Sequence, residues 1–387
     1  MAKFNFAVRI AAFTFIFSCV GLVQGRLIIF AESNPTWQDK WAKTVEAANK
    51  EGRVTIYSSV WGLSRSRVFQ KKYPQIKVVV VSGRGSQLRQ RMLSEDRAGK
   101  IIADVVTAGA RTNYQTLRAR NLIDPIRPVL ILPEVLDESL WYEGKHRYVD
   151  PERKYVLVYM GNVARTGSYN TKLLKPEKIK SYWDFLKPEF RGKIIARDIR
   201  RGGSGGDAMR FLYHNPKLGP KFVERLFSET DLTITRSNRQ GLDWLGVGKY
   251  HIGLFFGRVQ MAQSQGLPLD ELDPHLFKEG APLGIGPGSV SLMHNAPHPN
   301  AAKVYINWFL SREGQTVVQK VIAREGSGGD SMRIDIPKKD IPREYRRRKG
   351  AEYFFVATPQ YTDMRPIYKV INKALATRGK TTKKKKK

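Results

Sequence analysis

Three short β-branched runs follow one another near the start of the chain: Val54 to Ser59 (VTIYSS), Lys77 to Ser82 (KVVVVS) and Ile101 to Thr107 (IIADVVT). Runs so apolar predict strands covered on both faces, and a helical pattern after each predicts βαβ units in a mainly parallel sheet. The fold class is therefore α/β. In such sheets ligands collect beyond the carboxyl ends of the strands. Those ends are Ser58-Ser59-Val60-Trp61, Arg84-Gly85-Ser86 and Ala108-Gly109-Ala110.

The alternation starts again after Tyr169-Asn170-Thr171, which predicts a second lobe. Its centre is 196–211 (ARDIRRGGSGGDAMRF), a strand running into glycines and then a helical pattern. Ser204, Gly205 and Gly206 stand at the expected helix start, where free N–H groups and the positive dipole end favour an anion. A further strand, Tyr250 to Phe256, ends in Gly257-Arg258. Two more apolar runs, Ala281 to Gly286 and Ser289 to Met293, precede helical patterns at Asn300 to Leu310 and Glu313 to Arg324. Residues 120–150 are proline-rich and predict a long surface excursion. Gly203 to Arg210 (GSGGDAMR) nearly recurs at Gly326 to Arg333 (GSGGDSMR), with no longer period around either copy, so no repeat fold is implied.

Lysine and arginine number 67 against 35 acidic residues, a net charge of +32. A basic surface on this scale attracts anionic ligands, anionic lipid or nucleic acid. The lysine-rich tail and the cluster Arg346 to Lys349 lack interleaved aromatics and belong to no recognised module, which argues against nucleic acid. Cys19 is the one cysteine, so no internal disulfide forms. It lies in a segment where Lys3 and Arg9 lead into an apolar run, Ile10 to Val23, that reads as a secretory signal. Residues 1–31 are assigned to that signal, which places the mature chain in the periplasm. The alternatives are a lipoprotein attached through Cys19 and a form anchored in the membrane by an uncleaved signal.

Enzyme signatures are missing: there is no GxSxG, HExxH or GxxxxGK[ST], and no cysteine in the mature chain. Nothing assembles a nucleophile, a base and an orienting group, so no catalysis is expected, and no cofactor or metal. Asp270, Glu271, Asp273 and His275 form an acidic cluster that reads as a solvated loop before a cation site.

Three stretches carry a resemblance: 69–107, 166–196 and 295–315, the last including APHPNAAKVYINWFLSREGQ. They resemble the bacterial extracellular solute-binding proteins of ABC importers, in the branch that includes ferric-iron-binding proteins. The resemblance implies a type II periplasmic-binding-protein-like fold: two α/β lobes that close on a ligand by hinge motion. It implies a first lobe over 37–160 and 285–350 and a second over 161–284. A C-terminal extension over 351–387 carries the lysine-rich tail. Carried onto this chain, the cleft is lined by Ser59, Trp61, Arg84, Ser86, Gly109, Tyr169, Ser204, Gly205, Gly206 and Arg258.

The iron binders of that branch hold the metal with a histidine, a glutamate and a tyrosine pair. At the matching places this chain has Trp61, Gly109 and Gly257-Arg258. Ferric iron wants anionic oxygen ligands, and Arg258 would repel it. Keeping the anion corner at Ser204 to Gly206 while gaining Arg258 points to a small anionic solute, organic or phosphorylated. The expected partners are that solute and an ABC permease in the inner membrane, with the receptor itself monomeric. The alternatives are a ferric receptor with a substituted site and an envelope protein that uses its basic surface on lipid.

Overall fold

Strand β1 (Arg53–Ser58) sits at the heart of a first sheet because Val54 to Ser58 are buried on both faces, as its β-branched run predicts. The computed structural model describes residues 35–201, 205–324 and 328–384; the signal segment with Cys19, and Ser204, lie outside them. Further strands of the first sheet are β2 (Lys77–Ser82), β3 (Val105–Ala108), β4 (Ile123–Asp124), β5 (Arg147–Tyr148) and β6 (Leu157–Val158). Next come β7 (Asn162–Val163), β8 (Gly167–Asn170), β9 (Ile194–Arg197), β10 (Thr233–Thr235), β11 (Ile252–Leu254) and β12 (Leu269–Glu271). The chain then forms β13 (Ala281–Gly284), β14 (Ser289–Met293) and β15 (Tyr353–Phe355).

The first sheet has the order β2-β1-β3-β14-β6-β5, with β4 also on β14. β1 pairs in parallel with β2 and β3, but β14 runs antiparallel to β3, β4 and β6. The expectation of a mainly parallel sheet therefore fails at β14. The predicted strand at Ile101 begins only at Val105. The buried Asp104 carboxylate is what delays it, accepting the Thr55 and His298 amides at 2.7 Å each.

Two helices cover one face. Trp37–Glu51 packs Trp41, Val45 and Ala48 inward, while Trp37 stays exposed. Pro299–Leu310 is buried almost all round, and Phe69 wedges between its Tyr305 and Trp308 with ring centroids 5.1 and 5.2 Å away. His298 occupies the N-cap of that helix but gives it no side-chain cap. Its first amides go instead to Glu51, whose carboxylate accepts Asn300 N at 3.0 Å and Ala301 N at 2.7 Å. Residues 120–150 are no surface excursion: Ile126, Val135 and Trp141 are fully buried, and Asn307 pins the segment by accepting the Ile131 and Leu132 amides.

The second sheet has the order β10-β9-β11-β8-β12, parallel at β10-β9-β11 and antiparallel at β8. Its own core gathers Tyr182, Phe185, Phe211, Phe222 and Phe277. A third, small sheet, β15-β13-β7, takes in β7 and β13, the strands through which the chain passes from the first sheet to the second and back. β7 and β13 are antiparallel, and β15 adds to β13 in parallel register, Ala281 facing Tyr353 and Leu283 facing Phe355.

The C-terminal segment is built into this frame. After β15, Val356 joins the second core, and a helix, Arg365–Lys384, buries Ile367, Ile371 and Ala374 there. These sit at i, i+4 and i+7, the stripe an amphipathic helix presents. Tyr353 also ties down a neighbouring loop: its hydroxyl is 2.7 Å from His275 Nε2, and His275 Nδ1 is 2.8 Å from Asp273.

Candidate ligand cleft

The turn after β11 is the most constrained backbone near the strand ends. Phe255 and Arg258 both take positive φ, +66° and +61°, a region that disfavours side chains. Asn238 holds the second bend from across the turn: its Nδ2 donates to Gly257 O at 2.8 Å and its Oδ1 accepts Gly257 N at 3.0 Å. Gly241 lets the helix Asn238–Gly246 lie flush on Phe256, since a Cβ there would overlap the ring. Arg258 is thereby presented outward, exposed, at the start of the short helix Val259–Ser264.

Arg258 lines a cavity of about 620 Å³ together with Arg84 from the first lobe. Arg197, at the end of β9, and Arg239 complete its basic rim, and Leu242, Met261 and Ala262 give it an apolar wall. The one acidic residue on the cavity is Asp243, 3.8 Å from Arg239. The Arg84 and Arg258 side chains have no hydrogen-bond or carboxylate partner among the described residues. Four guanidinium groups and one carboxylate give the cavity a basic lining, and a guanidinium can grip a carboxylate or phosphate in a planar fork.

Of the residues singled out from sequence, Arg84 and Arg258 meet on this cavity. Ser86 is exposed on the first turn of the helix Gly85–Arg97, next to Arg84. Ser59 lies just below: its Oγ is buried without a partner and would stand 3.7 Å from a Cβ on Gly85. Trp61 is 52% exposed on the turn after β1 and lines none of the described cavities. Gly109 lines a separate cavity of about 550 Å³ with Asp207, Arg210 and the segment Thr362 to Arg365. Its missing side chain admits Gly286 O, which would be 2.6 Å from a Cβ there.

Tyr169 lies elsewhere. It pairs with Ile252, the first residue of β11, so it stands at the opposite end of that strand from Gly257. It is packed into the second core, where burial and then the Asp270 carboxylate push its phenol up. Gly205 caps the helix Gly206–His214 at φ +90°, with Phe255 so close that a Cβ would overlap it. The close approach that this glycine permits is thus to the β11 turn. Asp207 follows Gly206, pairs with Arg210 and abuts Gly284, so the chain's own carboxylate stands at this helix start.

Arg197, Asn238 and Arg239 were absent from the sequence reading. Arg197 was within reach of the strand-end rule, since it closes β9. Asn238 and Arg239 follow β10, a Thr-Ile-Thr strand too short to register as a period.

The acidic cluster around Asp270 is paired largely with arginines outside it: Glu271 lies 3.6 Å from Arg165, and Asp273 binds Arg348 as well as His275. Among the described residues no group of three or more His, Cys, Asp or Glu could hold a metal ion. No described helix is long and apolar enough to cross a membrane.

Comparison with known proteins agrees with this architecture. A sequence profile of bacterial extracellular solute-binding proteins matches residues 66–321. An uncharacterized protein of Haemophilus influenzae is 24% identical over 299 residues, 74% of this chain and 79% of that one. Among solved structures, an ABC transporter protein from Clostridium perfringens superposes with a TM-score of 0.59 at 15% identity, covering 84% of this chain and 98% of that one. FutA from Trichodesmium, in complex with iron and citrate, gives 0.58 at 18% identity, covering 84% and 99%. AfuA from Actinobacillus pleuropneumoniae, with fructose-6-phosphate bound, gives 0.52 at 17% identity, covering 85% and 99%. The fold is that of type II periplasmic binding proteins of the iron-binding-protein-like kind. With two α/β lobes, a basic cavity reached from both and a family profile matched over most of its length, the chain belongs to the bacterial extracellular solute-binding proteins, the receptors of ABC importers.

Proposed function

We propose that this receptor captures a small anionic solute, organic or phosphorylated, and delivers it to an ABC permease from the periplasm as a monomer. The observation that carries the reading is the convergence of Arg84 and Arg258, from different lobes, on one cavity whose rim also holds Arg197 and Arg239. Closure of the lobes around an anion would bring these groups onto it from two sides. The cavity offers a hard ferric ion one carboxylate, Asp243, against four cations, which disfavours a bare metal as cargo. Export by the N-terminal segment belongs to the same reading.

Losing a charge-assisted bond costs roughly 1.5–3 kcal/mol, so Arg258→Ala should weaken binding of the natural solute tenfold or more. The test is isothermal titration of the solute that co-purifies with the protein, identified by mass, against wild type and variant. Equal affinities would remove Arg258 from the site.

A further inference from the structure

Resting on the reading of a receptor whose lobes close, we infer that residues 347–357 form a strap across the hinge. They tie the first core to the second and restrain the rotation by which the cleft closes. β15 adds to β13 in parallel register, and Val356 N donates to Leu283 O at 3.1 Å. Successive side chains of a strand point to opposite faces, and here the two faces belong to different cores. Tyr353, Phe355 and Ala357 pack on the first core, Phe354 and Val356 on the second. The Arg147 guanidinium of the first sheet stands 5.1 Å from the centre of the Phe355 ring. Phe211 of the second core has its ring centroid 5.9 Å from that of Phe354.

The same division appears just upstream. Arg347 Nη2 donates to the Asp330 carboxylate at 3.0 Å, both side chains being buried, and its Nη1 lies against Met332 of the first core. Its neighbour Arg348 turns to Asp273, which follows β12 of the second sheet. Tyr353 spans the divide alone: its ring lies on the first core, and its hydroxyl is 2.7 Å from His275 Nε2. That hydroxyl also accepts the Arg348 amide at 2.6 Å. By themselves β7 and β13 would bend through small φ/ψ changes at their ends. A third strand gripped on both faces resists, because close-packed side chains interlock and do not slide continuously. Rotation must unseat one face of β15 or part Arg348 from Asp273. Neither Phe355 nor Arg348 lines the basic cavity, so the strap acts on motion and not on solute contact.

The test uses the full chain carrying Cys19→Ser, Ala42→Cys and Lys221→Cys, freed of bound solute. The two new thiols take nitroxide labels at exposed positions of helices packed on the first and second cores. Double electron–electron resonance then reads the distribution of distances between the lobes. Phe355→Ala loosens the first-core face of the strap, and Arg348→Ala removes its tie to Asp273. Arg348 is exposed, so that variant should fold even where Phe355→Ala does not. Ile371→Ala, buried inside the second core, controls for destabilisation alone. The inference expects both strap variants to give a distribution at least half as wide again as the parent chain, and Ile371→Ala to leave the width unchanged. Parent widths in both strap variants would overturn it, as would equal broadening by Ile371→Ala. No solute enters the experiment, so either failure leaves the receptor reading to its own titration.

Discussion

Replacing Arg258 by glycine should separate folding from binding at one position. Arg258 adopts φ +61° and ψ +31°. A side chain in this region costs about 1–2 kcal/mol relative to ordinary helical backbone, a cost glycine avoids. Glycine adds about 0.5–1 kcal/mol of lost chain entropy. The exposed guanidinium has no partner among the described residues, so its removal costs little in stability, within about 0.5 kcal/mol. The net expectation for Arg258→Gly is a ligand-free protein between about 0.5 kcal/mol less stable and about 1.5 kcal/mol more stable than wild type. Solute binding should meanwhile fall tenfold or more. Arg258→Ala, which keeps the strain, should lose the same affinity with no gain in stability. Urea unfolding of ligand-free protein reads the first quantity and titration calorimetry the second. A glycine variant less stable than the alanine variant would refute the strain argument. Unchanged affinity would refute the role in binding.

Other consequences follow from the same geometry. Asn238→Ala removes both bonds that hold Gly257, so it should cost about 1–3 kcal/mol in urea unfolding and weaken solute binding through misplacement of Arg258. Ile371→Ala should cost about 2–5 kcal/mol, because Ile371 is fully buried in the second core, whereas deleting 379–387 should leave solute binding unchanged in titration. Asp273 gives a pH signature. Burial pushes its carboxyl up, but hydrogen bonds from His275 and Arg348 outweigh this and hold it well below the ordinary value of 3.8. The unfolded chain therefore binds this proton first, and the stabilisation present above about pH 5 is lost as the medium becomes more acidic. Asp273→Asn should lie below wild type in urea midpoint at neutral pH, with the gap narrowing toward about pH 3.

How much of this was legible in the sequence depends on how local the cause is. β2 spans the predicted residues because all six of KVVVVS pair in parallel register with Arg53 to Ser58 of β1. The run from Ile101 was cut short by Asp104, whose amide-binding role depends on Thr55 and His298, far away in sequence. The antiparallel insertion of β14 could not be read from a run that looks the same in either direction. The C-terminal helix carried its 3.6-residue stripe openly at Ile367, Ile371 and Ala374, but the surrounding charge concealed it. In the near-repeat, Gly328 and Gly329 take φ of +82° and +100° and deliver Asp330 to Arg347 and Lys338, a buried structural cluster. Burial there pulls Lys338 down to about 8 despite the Asp330 carboxylate beside it. At the cleft, Arg84 and Arg258 were visible as strand-end residues, whereas Asn238 became meaningful only once its bonds to Gly257 were seen.

The most direct test is native mass spectrometry of wild type and Arg258→Ala, each purified from the periplasm without refolding. The account predicts one organic or phosphorylated anion of definite mass on the wild type, and its loss or strong depletion in the variant. A ferric ion carried without any anion, or the same anion retained in full by Arg258→Ala, would contradict it.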